Sequence, residues 1–174
     1  MPTKSVEAAI NDQIAKEFYA AHLYLSMVAW FEDRNLPGFA HWMRMQTEEE
    51  RAHAMRLFNY LIETGGKVKL QGVEAPPTTF TSPLKVMEAS LAHEKKVTAS
   101  IRKLYELADK EKDYGTQLHL QWFISEQQEE EKNVGDVIAR LKLAGTDNVA
   151  LLMIDRELAA RGPEAEGEVT ARKP

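Results

Sequence analysis

The segment Glu50-Arg51-Ala52-His53 sets a carboxylate and an imidazole three residues apart, a spacing that puts both on one helix face and lets them meet one cation. Alone the pair is weak evidence, because Glu-x-x-His also arises on solvated helices. Its company carries the weight. Read at alternating steps of three and four, four stretches form apolar stripes, each broken near its middle by groups able to bind metal. The first runs Ile10, Ile14, Glu17, Ala21, Tyr24, Val28, Phe31, and the second Phe39, Met43, Gln46, Glu50, His53, Leu57, Tyr60. The third runs Leu84, Met87, Leu91, Glu94, Thr98, Ile101, Tyr105, and the fourth Leu120, Phe123, Gln127, Glu130, Val134, Val137, Leu141. The carboxylates of Glu17, Glu50, Glu94 and Glu130, the His53 imidazole and the Gln127 carboxamide should therefore face one core at similar depth.

Each ionised carboxylate left unpaired inside costs several kcal/mol, against a total domain stability of about 5 to 15 kcal/mol. No Lys or Arg stands on the four stripes, so the compensating charge is better sought in bound cations. The donors suffice for two ions bridged by a carboxylate, one with a nitrogen ligand and one held almost wholly by oxygen. Such a set suits iron better than zinc or copper.

Composition sets the frame for these residues. The chain has 174 residues, 44% of them hydrophobic, enough for one domain with a substantial core. Its net charge is -5 without a basic cluster, which argues against nucleic acid or an anionic membrane as partner. It has no cysteine, so disulfides, thiolate zinc sites and iron-sulfur clusters are excluded. The N-terminal Met1-Pro2-Thr3-Lys4-Ser5 carries no signal-peptide pattern and no apolar run approaches membrane-spanning length, so a cytoplasmic protein is expected.

Punctuation marks out five helices: an all-α, four-helix bundle with a long crossover between helices two and three and a short fifth, C-terminal helix. The first should run from about Ser5 to Asp33, with Pro37 opening the second, which ends at Gly65-Gly66. Residues 67–82 read as an extended connection, too long for a simple turn, and Ser82-Pro83 as the cap and first turn of helix three. Asp113-Tyr114-Gly115 separates helices three and four, Gly145 closes the fourth, and Asp147 caps a fifth ending before Gly162-Pro163. At about 1.5 Å per residue, the donors fall near mid-length in both hairpins, so a shared layer is geometrically sound. One domain over 1–161 and a flexible tail over 162–174 are expected.

Glu17, Tyr24, Glu49-Glu50-x-x-His53, Glu94, Trp122 and Glu126-Gln127-x-Glu129-Glu130, spaced through five helices, resemble the haem-free ferritins of bacteria and archaea from Ser5 to Arg161. The resemblance implies that Glu17, Glu50 and His53 hold one iron, that Glu50, Glu94 and Glu130 hold a second, and that Gln127 lies beside the second. It also implies a third iron position formed by Glu49, Glu126, Glu129 and Glu130, with Tyr24 and Trp122 near the pair. A shell of twenty-four subunits around a ferric mineral follows from the same likeness. One departure from the wider diiron pattern is Gln127-x-x-Glu130 where related families repeat Glu-x-x-His. This speaks against bacterioferritin, and the lack of cysteine against rubrerythrin. No haem is expected; exposed methionines such as Met27, Met43, Met45 or Met55 are the chain's candidates for an axial ligand, and packing is their commoner role.

The expected function is ferroxidase and iron storage, with Fe(II) and O2 or H2O2 as substrates. The alternative is a diiron or dimanganese oxidase acting on a small substrate without mineral storage. Tyr24, one heptad after Glu17, could donate an electron to the oxidising pair, and Glu49, Glu126 and Glu129 could extend a carboxylate path away from it. The off-stripe His22, His41, His93 and His119 read as surface or interface residues, with His93 and His119 open to surface metal. Val149, Leu151, Leu152, Met153, Ile154 and Leu158 cover too much of a short helix to bury on one face, which points to a homo-oligomer.

Overall fold

The computed structural model describes residues 1–162; the expected flexible tail otherwise lies outside the described residues. Among the described residues five helices form: α1 (Lys4–Glu32), α2 (Pro37–Glu63), α3 (Pro83–Lys110), α4 (Tyr114–Ala144) and α5 (Asn148–Leu158). Their starts follow from side chains that satisfy the first free amides of a helix. Thr3 accepts from the Val6 amide, Ser82 from Lys85 at 3.2 Å, Asp113 from Thr116 at 3.0 Å and Asp147 from Val149 at 2.8 Å. Asn35 at φ 55° makes the left-handed turn between α1 and α2, and Gly145 at φ 57° ends α4.

The start of α2 is different. Leu36 offers no capping side chain, and instead Asp155 of α5 accepts from the amides of Gly38 at 2.8 Å and Phe39 at 2.9 Å. A carboxylate there also meets the positive end of the helix dipole. The approach needs glycine, since a Cβ at Gly38 would stand 1.6 Å from the Asp155 carbonyl oxygen. In this way α5 is fastened to the bundle at the end where α2 begins.

The connection from α2 to α3 can be followed along α1. Asn11 donates to the Lys67 carbonyl at 2.9 Å and accepts from the Lys69 amide at 2.6 Å; farther on, Ser26 donates to the Pro77 carbonyl and the Trp30 indole to that of Phe80. The segment thus travels from the N-terminal half of α1 to its C-terminal end. Helix α3 begins where α2 began, so the two run parallel and the expected crossover is present.

The core falls into two apolar halves. One is built by residues such as Met27, Phe31, Phe39, Met43, Met87 and Val134, the other by Ile10, Ile14, Leu57, Ile101, Leu120 and Phe123. On every long helix the polar breaks lie between the residues of one half and those of the other. Among the described residues no helix is long and apolar enough to cross a membrane.

Candidate metal centre

Between the two apolar halves lies a buried polar layer. Glu17, Glu50, His53, Glu94, Gln127 and Glu130 are exposed by 1%, 0%, 4%, 0%, 2% and 3%, so six inward-facing donors, one or two from each long helix, share one water-poor slab. Their positions follow from the stripes: each occupies a core-facing turn that a leucine or phenylalanine would otherwise fill.

The layer has two unequal sides. On the first, ligand-capable atoms of Glu17, Glu50 and His53 lie within 4.8 Å of one another. Glu17 Oε2, both Glu50 carboxylate oxygens and His53 Nδ1 are buried without a hydrogen-bond partner. His53 Nδ1 stands 3.6 Å from Glu50 Oε2, an ionic contact too long for a hydrogen bond. Orphaned buried oxygens of this kind are rare, and they fit a cation as the missing partner. Burial, then the neighbouring charge of Glu50, drives the Glu17 carboxyl well above the usual carboxylate range. Burial lowers the His53 imidazole, but contact with Glu50 and the charges of Glu50, Glu126 and Glu49 outweigh it, for a net rise.

On the second side the carboxylates are already hydrogen-bonded. Glu94 accepts from the Tyr24 hydroxyl and, at 3.0 Å, from Gln127 Nε2, while Glu130 accepts from Gln46 Nε2 at 2.7 Å. Burial pushes Glu94 up to about 7, against the lowering effect of Gln127. Burial, then the charges of Glu94, Glu50 and Glu49, push Glu130 well above its usual range. Atoms of His53, Glu126 and Glu130 also approach within 4.8 Å, so His53 lies between two possible cation positions.

Two glutamines tie the layer to surface cations, a feature with no signal in the stripes. The Lys16 ammonium donates to Ser100 Oγ at 2.6 Å, Ser100 donates to Gln13 Oε1 at 2.6 Å, and Gln13 Nε2 donates to Glu17 Oε1 at 2.9 Å. Because an ammonium can only donate, every donor and acceptor down that chain is fixed. At the other side the Arg161 guanidinium donates to Gln46 Oε1, and Gln46 passes the polarity on to Glu130. Arg161 also holds both oxygens of Glu49, at 3.2 and 3.1 Å. The stripes contain no arginine, so nothing in their spacing singles out Arg161.

The remaining candidates divide. Tyr24 is fully buried on Glu94. Trp122 is half-buried and packs edge-on to the His53 ring at 5.3 Å, with Arg56 over its other face. Glu126 reaches within 3.9 Å of His53 Nε2, whereas Glu129 is exposed and joins neither donor group. His93 and His119 are half-buried with a buried Nε2 each, His93 beside the rings of Tyr19 and Tyr24 and His119 stacked on Tyr60 at 4.1 Å. Burial, then Arg56, holds His119 at about 4, which keeps it neutral. Met27 and Met43, read from sequence as exposed, are wholly buried packing residues. On α5, Ile154 and Leu158 are buried while Val149, Leu152 and Met153 remain exposed, by 68%, 53% and 59%.

Comparison with known proteins agrees with this fold. A ferritin-like domain matches residues 7–144. A bacterial non-heme ferritin of Staphylococcus haemolyticus is 37% identical over 166 residues, covering 95% of this chain and all of that protein; one of Bacteroides fragilis is 37% identical over 161. Among solved structures, an open pore ferritin of the archaeon Archaeoglobus fulgidus superposes with a TM-score of 0.92 at 44% identity, covering 93% of this chain and all of that one.

Proposed function

This chain belongs to the ferritin family, as a non-haem ferritin of the bacterial and archaeal type, and on that premise we propose that it oxidises Fe(II) at a paired-iron centre and stores the ferric product inside a multisubunit shell. The observation that carries the reading is the set of buried, unpartnered oxygens on Glu17 and Glu50 beside His53. Glu17, Glu50 and His53 bind the first Fe(II), Glu50 bridges, and Glu94 with Glu130 binds the second, Gln127 standing beside it. Two Fe(II) ions give up one electron each. Dioxygen takes both with two protons to become H2O2, or H2O2 takes both with two protons to become two waters.

The two sides of the layer then divide the work. The first offers an imidazole and carboxylate oxygens with no hydrogen bonds to surrender, so it is ready for an ion. The second must trade bonds from Tyr24, Gln127 and Gln46 for metal, so it releases Fe(III) more readily. Glu126, Glu49 and Glu130 lead outward from it as a third iron position, Glu129 lying nearer solvent. Tyr24, hydrogen-bonded to Glu94, is placed to supply an electron. The exposed apolar residues of α5 become subunit contacts in the multisubunit shell.

The alternative, a diiron or dimanganese oxidase of a small substrate, requires an open chamber beside the ions, whereas Ile14, Tyr24, Met43 and Phe123 fill the core around the layer. The deciding experiment adds Fe(II) aerobically to the metal-free assembled protein and follows ferric absorbance together with sedimentation. Iron retained far beyond the few ions the centre can hold, in one large particle, supports storage; oxidation that stops at a few ions per chain refutes it. Replacing Glu50 and His53 together by alanine should abolish fast oxidation, and retention of the wild-type rate would remove the centre from the mechanism.

A further inference from the structure

We propose that Arg161 is a tethered counter-cation for the outer carboxylates, holding Glu49 while that position is empty and yielding it to a metal ion that enters beside Glu126 and Glu130. The inference rests on the reading of Glu49, Glu126 and Glu130 as an outer iron position.

The geometry is that of a competitor. One guanidinium nitrogen lies 3.1 to 3.2 Å from both Glu49 oxygens, and the other nitrogen binds Gln46, whose amide in turn holds Glu130. A metal ion using the Glu49 carboxylate must take oxygens that the guanidinium now contacts. The exchange is electrostatically modest, because a divalent ion replaces a charge of one by a charge of two and the acidic group is never left bare. The guanidinium offsets part of the repulsion between Glu49 and the nearby carboxylates of Glu50 and Glu130 in a poorly hydrated place.

Arg161 is also built to move. It follows the end of α5 at Leu158, so its side chain can swing without unwinding a helix turn. His41 Nε2 contacts its carbonyl at 2.8 Å, which anchors the backbone while the side chain turns. The guanidinium carbon lies 5.0 Å from the Trp42 ring centre, and the side chain is 14% exposed. It forms one wall of a surface pocket of about 260 Å³ shared with Trp42, Asn133, Asp136 and Glu157. The indole face of Trp42 can receive the displaced guanidinium, the pocket's Asp136 and Glu157 being already paired with Lys132 and Arg140.

The test is Zn2+ binding, which involves no redox step, measured by equilibrium dialysis and calorimetry on the assembled metal-free protein. The forms compared are wild type, Arg161→Gln, Arg161→Lys, Glu49→Gln and the Arg161→Gln/Glu49→Gln double variant, each checked for intact assembly by sedimentation. Arg161→Gln should tighten the weakest, Glu49-dependent binding event by about tenfold, the exchange value of one charge-assisted contact. Arg161→Lys, which keeps the charge but loses the fork, should fall between. Adding Glu49→Gln should erase the gain. If Glu49→Gln removes an event from the wild type but Arg161→Gln leaves that event unchanged or weaker, the outer position stands and the counter-cation role is overturned. If Glu49→Gln alters Zn2+ binding in neither background, the outer position is refuted and the proposal falls with it.

Discussion

Replacing Glu94 by glutamine should stabilise the metal-free protein above neutral pH while weakening its hold on metal. The Glu94 carboxyl is raised from 4.5 to about 7, chiefly by burial. A group whose pKa is raised by folding binds its proton more tightly in the native state, so its contribution is fully present below the unfolded value and is lost as pH climbs through the folded one. Between pH 4.5 and about 7 stability should therefore fall, and an ionised Glu94 at pH 8 costs about 3 kcal/mol. Glutamine has the shape of the protonated acid: its carbonyl can accept from Gln127 and its amide can donate to the Tyr24 hydroxyl oxygen. Relief of the repulsion that Glu94 exerts on Glu130 acts in the same direction. Denaturant unfolding of both forms, at one protein concentration and in one assembly state, should show Glu94→Gln ahead by about 2 to 3 kcal/mol at pH 8 and by almost nothing near pH 4.5. Excess Zn2+ should reverse the order, because only the wild type gains the binding energy of the second ion. A variant no more stable than wild type at pH 8, or a wild-type stability that rises with pH across this window, would refute the account of the layer as a store of electrostatic strain.

Two further outcomes test the supports of the site. Ser100→Ala interrupts the path from Lys16 to Gln13 and frees the Gln13 amide to turn over, so Zn2+ affinity at the Glu17 side should drop about tenfold with the fold intact; unchanged affinity would show that Gln13 orients Glu17 without help. Asp155→Ala strips the acceptor from two amides at the start of α2 and should cost about 2 kcal/mol in unfolding, with faster hydrogen exchange at Gly38 and Phe39. A loss below about 0.5 kcal/mol would mean that water replaces the carboxylate there.

Much of the metal layer is legible in sequence because its residues break the commonest rule of helical patterning. One glutamate on an apolar stripe can snorkel to water, but Glu17, Glu50, Glu94 and Glu130 stand on four stripes at matching depths. The crossover is legible from Pro76-Pro77 and from the length of the segment, and the structure runs it along α1 as expected. Residues whose role depends on what lies opposite them are not legible in this way. Gln13 stands one turn before Glu17, yet its value depends on Ser100 from another helix. Gln46 stands on a stripe, but its carbonyl has a partner only because α5 docks where it does. Arg161 follows α5 with no periodicity to mark it. Within the acidic run 129–131, helical geometry turns Glu130 inward, leaves Glu129 in solvent, and points Glu131 at the Thr98 hydroxyl, 2.6 Å away. His93 and His119 mislead for a related reason, since an off-stripe position can still be covered by a neighbouring ring.

The carboxylate that closes the start of α2 has a bearing on how the chain is made. Gly38 and Asp155 are separated by 117 residues, so during vectorial synthesis α2 leaves the ribosome long before its closing partner exists. Until Asp155 arrives, the Gly38 and Phe39 amides in the first turn of α2 are bonded to water. Arrival of α5 supplies that acceptor and, by the same movement, brings Arg161 to Glu49, so one docking event caps α2 and sets a cation beside the outer carboxylates.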